Sequence, residues 1–280
     1  MTRLAETKNM AIFCDFENVA LGVRDAEYAQ FDIEKVLERL LLKGNIVVKK
    51  AYCDWARYKD HKTAMHEASF ELIEIPHVRQ SGKNSADIRM VVDALDLCYT
   101  KAHVDTFVII SGDSDFSPLV SKLRENNKTV IGVGVRNSTS DLLIANCDEF
   151  ISYDDLVSAP RPRSRAGSGQ TGRKPPRAAK GKAAPPVDEK KQEAWHLIVN
   201  TYEALLEERG EEERIWGSMV KQALKRRSPG FSEAHYGFRS FGQLLEEAEA
   251  HGILELERDE KSVGFILKAS HEVGRRKPGS

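Results

Sequence analysis

The sequence predicts an α/β protein built on a mostly parallel sheet, followed by a small α+β module. Two observations predict this. Through about residue 157, apolar runs of strand length alternate with stretches of helical periodicity, the pattern of a parallel sheet covered on both faces. Between Ala159 and Pro186 the composition breaks: no acidic residue, almost no large apolar one, and Pro, Gly, Ser and Ala throughout. Such a stretch cannot bury a core and is read as a disordered linker.

The elements follow in order. Met10–Cys14 is a buried strand. Asp32 caps a helix carrying Ile33, Val36, Leu37, Leu40 and Leu41, ending near Gly44. Ile46–Cys53 is a second strand, residues 57–70 a helix, and Leu72–Ile75 a third strand stopped by Pro76. Ser85–Tyr99 is a helix whose expected buried stripe is Ile88, Val91, Val92, Leu95 and Tyr99. Thr106–Ser111 is the fourth strand. Ser114–Glu125 is a helix with Pro118 in its first turn. Thr129–Val135 is the fifth strand, followed by a short helix near Ser138–Ala145 and a short strand near Glu149–Ser152.

The domain boundaries read as 1–157, a basic linker 158–188, a second module 189–269 and a basic tail 270–280. In the second module, Ala194, Leu197, Ile198, Tyr202 and Leu205 form one helical stripe. Ile215, Met219, Val220 and Leu224 form another, and Phe241, Leu244, Leu245 and Ala248 a third. Ile253–Glu257 and Gly264–Leu267 read as a hairpin, so the module is expected to be a winged helix.

Composition excludes several classes. The formal net charge is -1, so affinity for nucleic acid must come from local clusters. No apolar run approaches the ~20 residues of a membrane helix, and the N-terminus lacks a signal-peptide core. The four cysteines form no CxxC pair, and three of them sit in apolar stretches and read as reduced core residues, pointing to the cytoplasm. No Walker loop and no Ser/His/Asp arrangement is evident.

What remains is a set of aspartates. In an open parallel sheet, ligands bind beyond the strand ends where strand order reverses. With order 3-2-1-4-5, the first and fourth strands flank that crevice. One delivers Asp15, with Asn18 behind it; the other delivers Asp113 and Asp115. Asp87, in the first turn of its helix, leans toward the same place, whereas Asp93 points away. Any one of them alone reads as a turn or helix cap. Converging carboxylates repel unless a cation sits among them, and hard oxygen ligands suit Mg²⁺ or Mn²⁺. Lys83 and Arg136, near strand ends, are candidate phosphate contacts.

These motifs resemble a family. Asp15-x-x-Asn18, Lys83-x-x-x-Asp87 and Ser111-Gly-Asp-Ser-Asp-Phe116 are similar to the NYN domain, LabA-like branch, of the PIN-like nucleases, over about residues 8–156. The resemblance implies a PIN-like Rossmannoid fold and Mg²⁺- or Mn²⁺-dependent hydrolysis of RNA, single-stranded or structured. It implies metal-binding, catalytic roles for Asp15, Asp87, Asp113 and Asp115, with Asn18 and Ser111 as polar support near the substrate. Asp93 also matches a family-typical position. The stretch Phe231–Leu245, with Tyr236, Gly237, Phe238 and Phe241, resembles the OST-HTH or LOTUS domain, a family of RNA-binding and protein-recruiting modules. Its candidate RNA contacts are Lys221, Lys225, Arg226, Arg227 and Arg239. The leading reading is thus a ribonuclease with an RNA-tethering module. A non-catalytic RNA-binding regulator and a protein-interaction adaptor stand as alternatives. DNA stays open as a substrate, and nothing in the sequence indicates an oligomeric state.

Overall fold

The computed structural model describes residues 8–75, 85–157, 189–209, 214–258 and 264–269. The stretch 159–186, the tail from 270 and Lys83 lie outside them. Contacts divide the described residues into two compact units. One holds everything through Val157 together with Ser218–His235; the other holds the rest, from Glu189 to Gly217 and from Tyr236 onward.

The first unit is built on six strands: β1 (Lys8–Asp15), β2 (Gly44–Cys53), β3 (Glu71–Glu74), β4 (Thr106–Ile110), β5 (Thr129–Gly134) and β6 (Glu149–Ser152). They lie in the order β3-β2-β1-β4-β5-β6, and every pairing is parallel. This is the expected order, extended by β6. The helices are α1 (Phe16–Asp25), α2 (Ile33–Leu41), α3 (Lys59–Glu67), α4 (Ser85–Thr100), α5 (Ser117–Glu125), α6 (Asp141–Asn146) and α7 (Tyr153–Val157). Asp32 caps α2 as predicted, accepting from the Glu34 N–H.

Strand alternation builds two cores. Met10, Ile12 and Cys14 of β1, with Val108 and Ile110 of β4, face the side of α1, α2 and α3. Ala11, Phe13, Phe107 and Ile109 face the side of α4, α5 and α6. All four cysteines are buried and free, the fourth joining the three expected in the core. No helix among the described residues is long and apolar enough to cross a membrane.

The structure corrects the face of α4. Its buried residues are Met90, Ala94 and Cys98, whereas Ile88, Val92 and Tyr99, expected inside, are exposed. Val91 and Leu95 are only partly buried against the core.

The second unit contains α8 (Glu189–Arg209), α10 (Phe241–Ala250) and a sheet of β7 (Ile215–Trp216), β8 (Leu254–Arg258) and β9 (Phe265–Ala269). The strand order is β7-β9-β8, antiparallel throughout. Ile215, expected to lead a helical stripe, instead pairs with Leu267, and α9 (Gly217–Arg227) starts only after it. In the aromatic motif Tyr236, Phe238 and Phe241 are buried. Gly237 turns the chain at φ 83°, a conformation costly for any residue with a Cβ.

Candidate active site

Sheet geometry alone places the first two site residues. Residues 11, 13 and 15 of β1 share a face, as do 107, 109 and 111 along and just beyond β4. Cys14 pairs with Ile110, so one step on, Asp15 and Ser111 meet on the α4–α5 side. The Ser111 hydroxyl donates to Asp15 Oδ2 at 3.0 Å, and Asp15 is only 7% exposed.

The loops complete the arrangement. Asp15 ends β1 and caps α1, accepting from the Asn18 N–H at 3.4 Å. Asn18 Oδ1 accepts from the Gly112 N–H at 2.7 Å, tying the β1 and β4 ends together. The Asp113 N–H donates to Ser111 Oγ at 3.2 Å. Asp113 in turn caps the short turn Ser114–Phe116, accepting from the Asp115 N–H at 2.9 Å. Gly112 is required here because a Cβ would lie 2.4 Å from the Ser138 carbonyl oxygen.

Electrostatics show which carboxylates have been gathered. Burial first, and then the nearby charge of Asp87, push the Asp15 carboxyl up to about 7; the Ser111 and Asn18 donors pull it back, and Asp113 adds a further push. Asp87 is also raised, first by burial and then by the charges of Asp113, Asp115 and Glu17. The four predicted aspartates are therefore electrostatic neighbours. Asp15 and Asp113 do cap, as expected of isolated aspartates, and their caps orient two members of the cluster.

Like-charged carboxylates brought together cost free energy unless a cation sits among them. Their donors are hard carboxylate oxygens, which fit a hard divalent ion. Among the described residues, no three Asp, Glu, His or Cys side chains are drawn together tightly enough to close around an ion.

The other predicted residues fare differently. Asp93 is turned away from the cluster, receiving the Tyr52 hydroxyl at 2.9 Å and pairing with Arg89 at 3.1 Å and Lys50 at 3.6 Å. Arg136 points its half-buried guanidinium at Asp155, 3.7 Å away. Lys221 pairs with Glu233 at 2.7 Å. Lys225 is part-exposed; Arg226 and Arg227 are exposed in the last turn of α9. Arg239 is exposed one residue before the α10 cap, its N–H bonded to Gln243. Glu17 was missed. It sits in the first turn of α1, paired with Arg57 at 3.2 Å, and only recognition of that helix would have drawn it toward Asp87.

The model of the NYN domain family matches residues 9–154. The chain belongs to the NYN domain family. The match spans β1 to the start of α7, the whole of the six-stranded sheet, and places this unit among the PIN-like nucleases. Among curated proteins, "Meiosis regulator and mRNA stability factor 1" of Xenopus tropicalis is 24% identical over 154 residues, 55% of this chain and 9% of that protein. An uncharacterized protein of Methanocaldococcus jannaschii is 30% identical over 126 residues, 44% of this chain and 48% of that one. The chain thus spans less than half the length of these relatives. A crystal structure of a protein of unknown function from Vibrio parahaemolyticus is 27% identical, with a TM-score of 0.49, covering 55% of this chain and 98% of that one.

Proposed function

We propose that the NYN unit is a metal-dependent ribonuclease acting through Asp15, Asp87, Asp113 and Asp115. The observation that carries this reading is the convergence of the β1 and β4 ends, where the Ser111 hydroxyl donates to buried Asp15 at 3.0 Å and Asn18 accepts from the Gly112 N–H at 2.7 Å, bringing Asp15 beside Asp113 and Asp115. Perturbed carboxylates gathered at strand ends mark a functional-site candidate. The PIN-like relationship and the RNA-directed name of the vertebrate relatives point the same way.

The four aspartates would hold one or two Mg²⁺ or Mn²⁺ ions, whose chemistry is to neutralise a phosphate oxygen and lower the pKa of a bound water. The chain's own residues do the positioning. Ser111 holds the buried Asp15 carboxylate in place, and Asn18 locks the β4 loop through Gly112. Asp113 and Asp115 are fixed by the capped turn between them. The reaction is in-line attack of water on a backbone phosphorus, leaving a 5′-phosphate and a 3′-hydroxyl. Lys83 is the proposed phosphate contact; Arg136 must leave Asp155 to serve as one.

The C-terminal module is proposed to be a LOTUS-type winged helix that tethers RNA through α9 and Arg239 or recruits a protein. The cytoplasm is the proposed setting. The test is cleavage of labelled single-stranded RNA with Mn²⁺, Mg²⁺ or EDTA, with Asp113→Asn alongside as a guard against contaminating nuclease. Metal-dependent cutting that disappears in Asp113→Asn is the expected result. Intact RNA across several substrates, with binding retained, would instead favour a non-catalytic RNA-binding regulator.

A further inference from the structure

Beside the carboxylates lies a groove of about 720 Å³ between α4, α5 and α6, within the ~300–1,000 Å³ range of ligand clefts. Asp87 and Asp115 form its edge, so it is continuous with the acidic cluster. Its walls carry Ile88, Val92, Pro118 and Leu142. Three of these are large apolar side chains held in solvent: Ile88 is 64% exposed, Val92 56% and Leu142 58%. The polar part is supplied by Ser114, Ser117 and Ser121. Ser117 is itself only 6% exposed, and its Oγ has no hydrogen-bond partner. An unsatisfied buried hydroxyl is costly and calls for a partner.

We infer that this groove docks an unpaired nucleobase of the RNA strand whose phosphate is held at the adjoining aspartates. The inference rests on the ribonuclease reading of those aspartates. Charge selects the occupant: beyond Asp87 and Asp115, which the metal would engage, the described lining holds no charged side chain, so the rest of the groove offers nothing to pair with a phosphate and admits an uncharged group. A base has apolar faces for the Ile88, Val92 and Leu142 side chains and an edge of donors and acceptors for the Ser114 and Ser121 hydroxyls, with the unpartnered Ser117 hydroxyl just behind them. Single-stranded RNA presents bases in this way, splayed from the backbone and open to hydrogen bonding. The groove would thus set which nucleotide flanks the cut and favour single strands over duplex.

The test is methyl NMR on the full chain labelled at Ile, Leu and Val methyls, titrated with a single-stranded RNA oligonucleotide in EDTA and then in Mg²⁺. An abasic oligonucleotide of the same length is the control. The expected result is movement of the Ile88, Val92 and Leu142 methyls with the intact strand and much less with the abasic one. Ile88→Ser with Leu142→Ser, both exposed, should weaken the intact strand about tenfold and leave the abasic one nearly unchanged. Methyls that stay still, or that move equally with the abasic strand, overturn the inference. So do methyls that move with protein concentration alone, which would assign the patch to a second copy of the chain. Methyl shifts without cutting by wild type in Mn²⁺ would keep the base site and remove the nuclease reading.

Discussion

Gly112 shows how little room the site leaves. Its Cα approaches Ser138 so closely that a Cβ would stand 2.4 Å from backbone oxygen, and a backbone neighbour cannot swing aside. Gly112→Ala should therefore cost about 1–3 kcal/mol, read as a lower urea midpoint. It should also loosen the Asn18 bond that joins the two strand ends. At Asp154, burial opposes the charge. The Arg136 N–H at 2.8 Å and the hydroxyls of Ser152 at 2.8 Å and Tyr28 at 3.0 Å outweigh it and hold the carboxyl below its usual range. A carboxyl lowered in the folded state contributes stability above its unfolded value and loses it as pH falls through the folded one. Denaturation curves should thus weaken as pH drops below about 4, and Asp154→Asn should flatten that part of the profile. An equal slope in both proteins would place the acid sensitivity elsewhere.

Helix α4 is where sequence and structure part. Strands β1 and β4 were legible because an uninterrupted apolar run has one reading in a parallel sheet, and the aspartates that follow them were placed by that reading. The face of α4 was not legible, because apolar residues occur almost all round it. Ile88, Val91, Val92, Leu95 and Tyr99 give as good a stripe as Met90, Ala94 and Cys98. Close approach to β1 favours the face with Ala94 and Cys98, whose small side chains fit against Phe13 and Tyr52 in the same core. Helix α1 is not legible in the sequence because Phe16–Asp25 begins directly at Asp15 with no intervening loop. The assignment of α4 predicts a contrast. Met90→Ala should cost about 2–5 kcal/mol as a buried truncation. Ile88→Ser, on the exposed face, should stay within about 0.5 kcal/mol. Chemical denaturation of the two variants decides it, and equal losses would restore the predicted stripe.

Two places in the chain concentrate charge of one sign. The acidic residues Asp15, Asp87, Asp113 and Asp115 meet at the strand ends. If a divalent ion relieves their repulsion, Mn²⁺ at 100 times its dissociation constant should add about 2.7 kcal/mol of stability, seen as a rise in melting temperature that EDTA reverses and Asp113→Asn abolishes. A rise of equal size in the variant would mean the ion binds elsewhere. The cations Arg161, Arg163, Arg165, Arg173, Lys174, Arg177, Lys180 and Lys182 are concentrated between Ala159 and Pro186, with no acidic residue among them. If the acidic cluster acts on a polyanion as proposed, it repels what it must hold, and a separate basic segment is a physical way to gather the strand. Counterion release makes this measurable, because each phosphate neutralised on a single strand steepens the log–log salt dependence of binding by about 0.7. Deleting 159–186 should reduce that slope by about 3 if roughly half of its cations engage phosphates, while leaving metal-dependent cutting of a short oligonucleotide largely intact. An unchanged slope would make the segment a spacer and return the whole of RNA capture to the NYN unit and the C-terminal module.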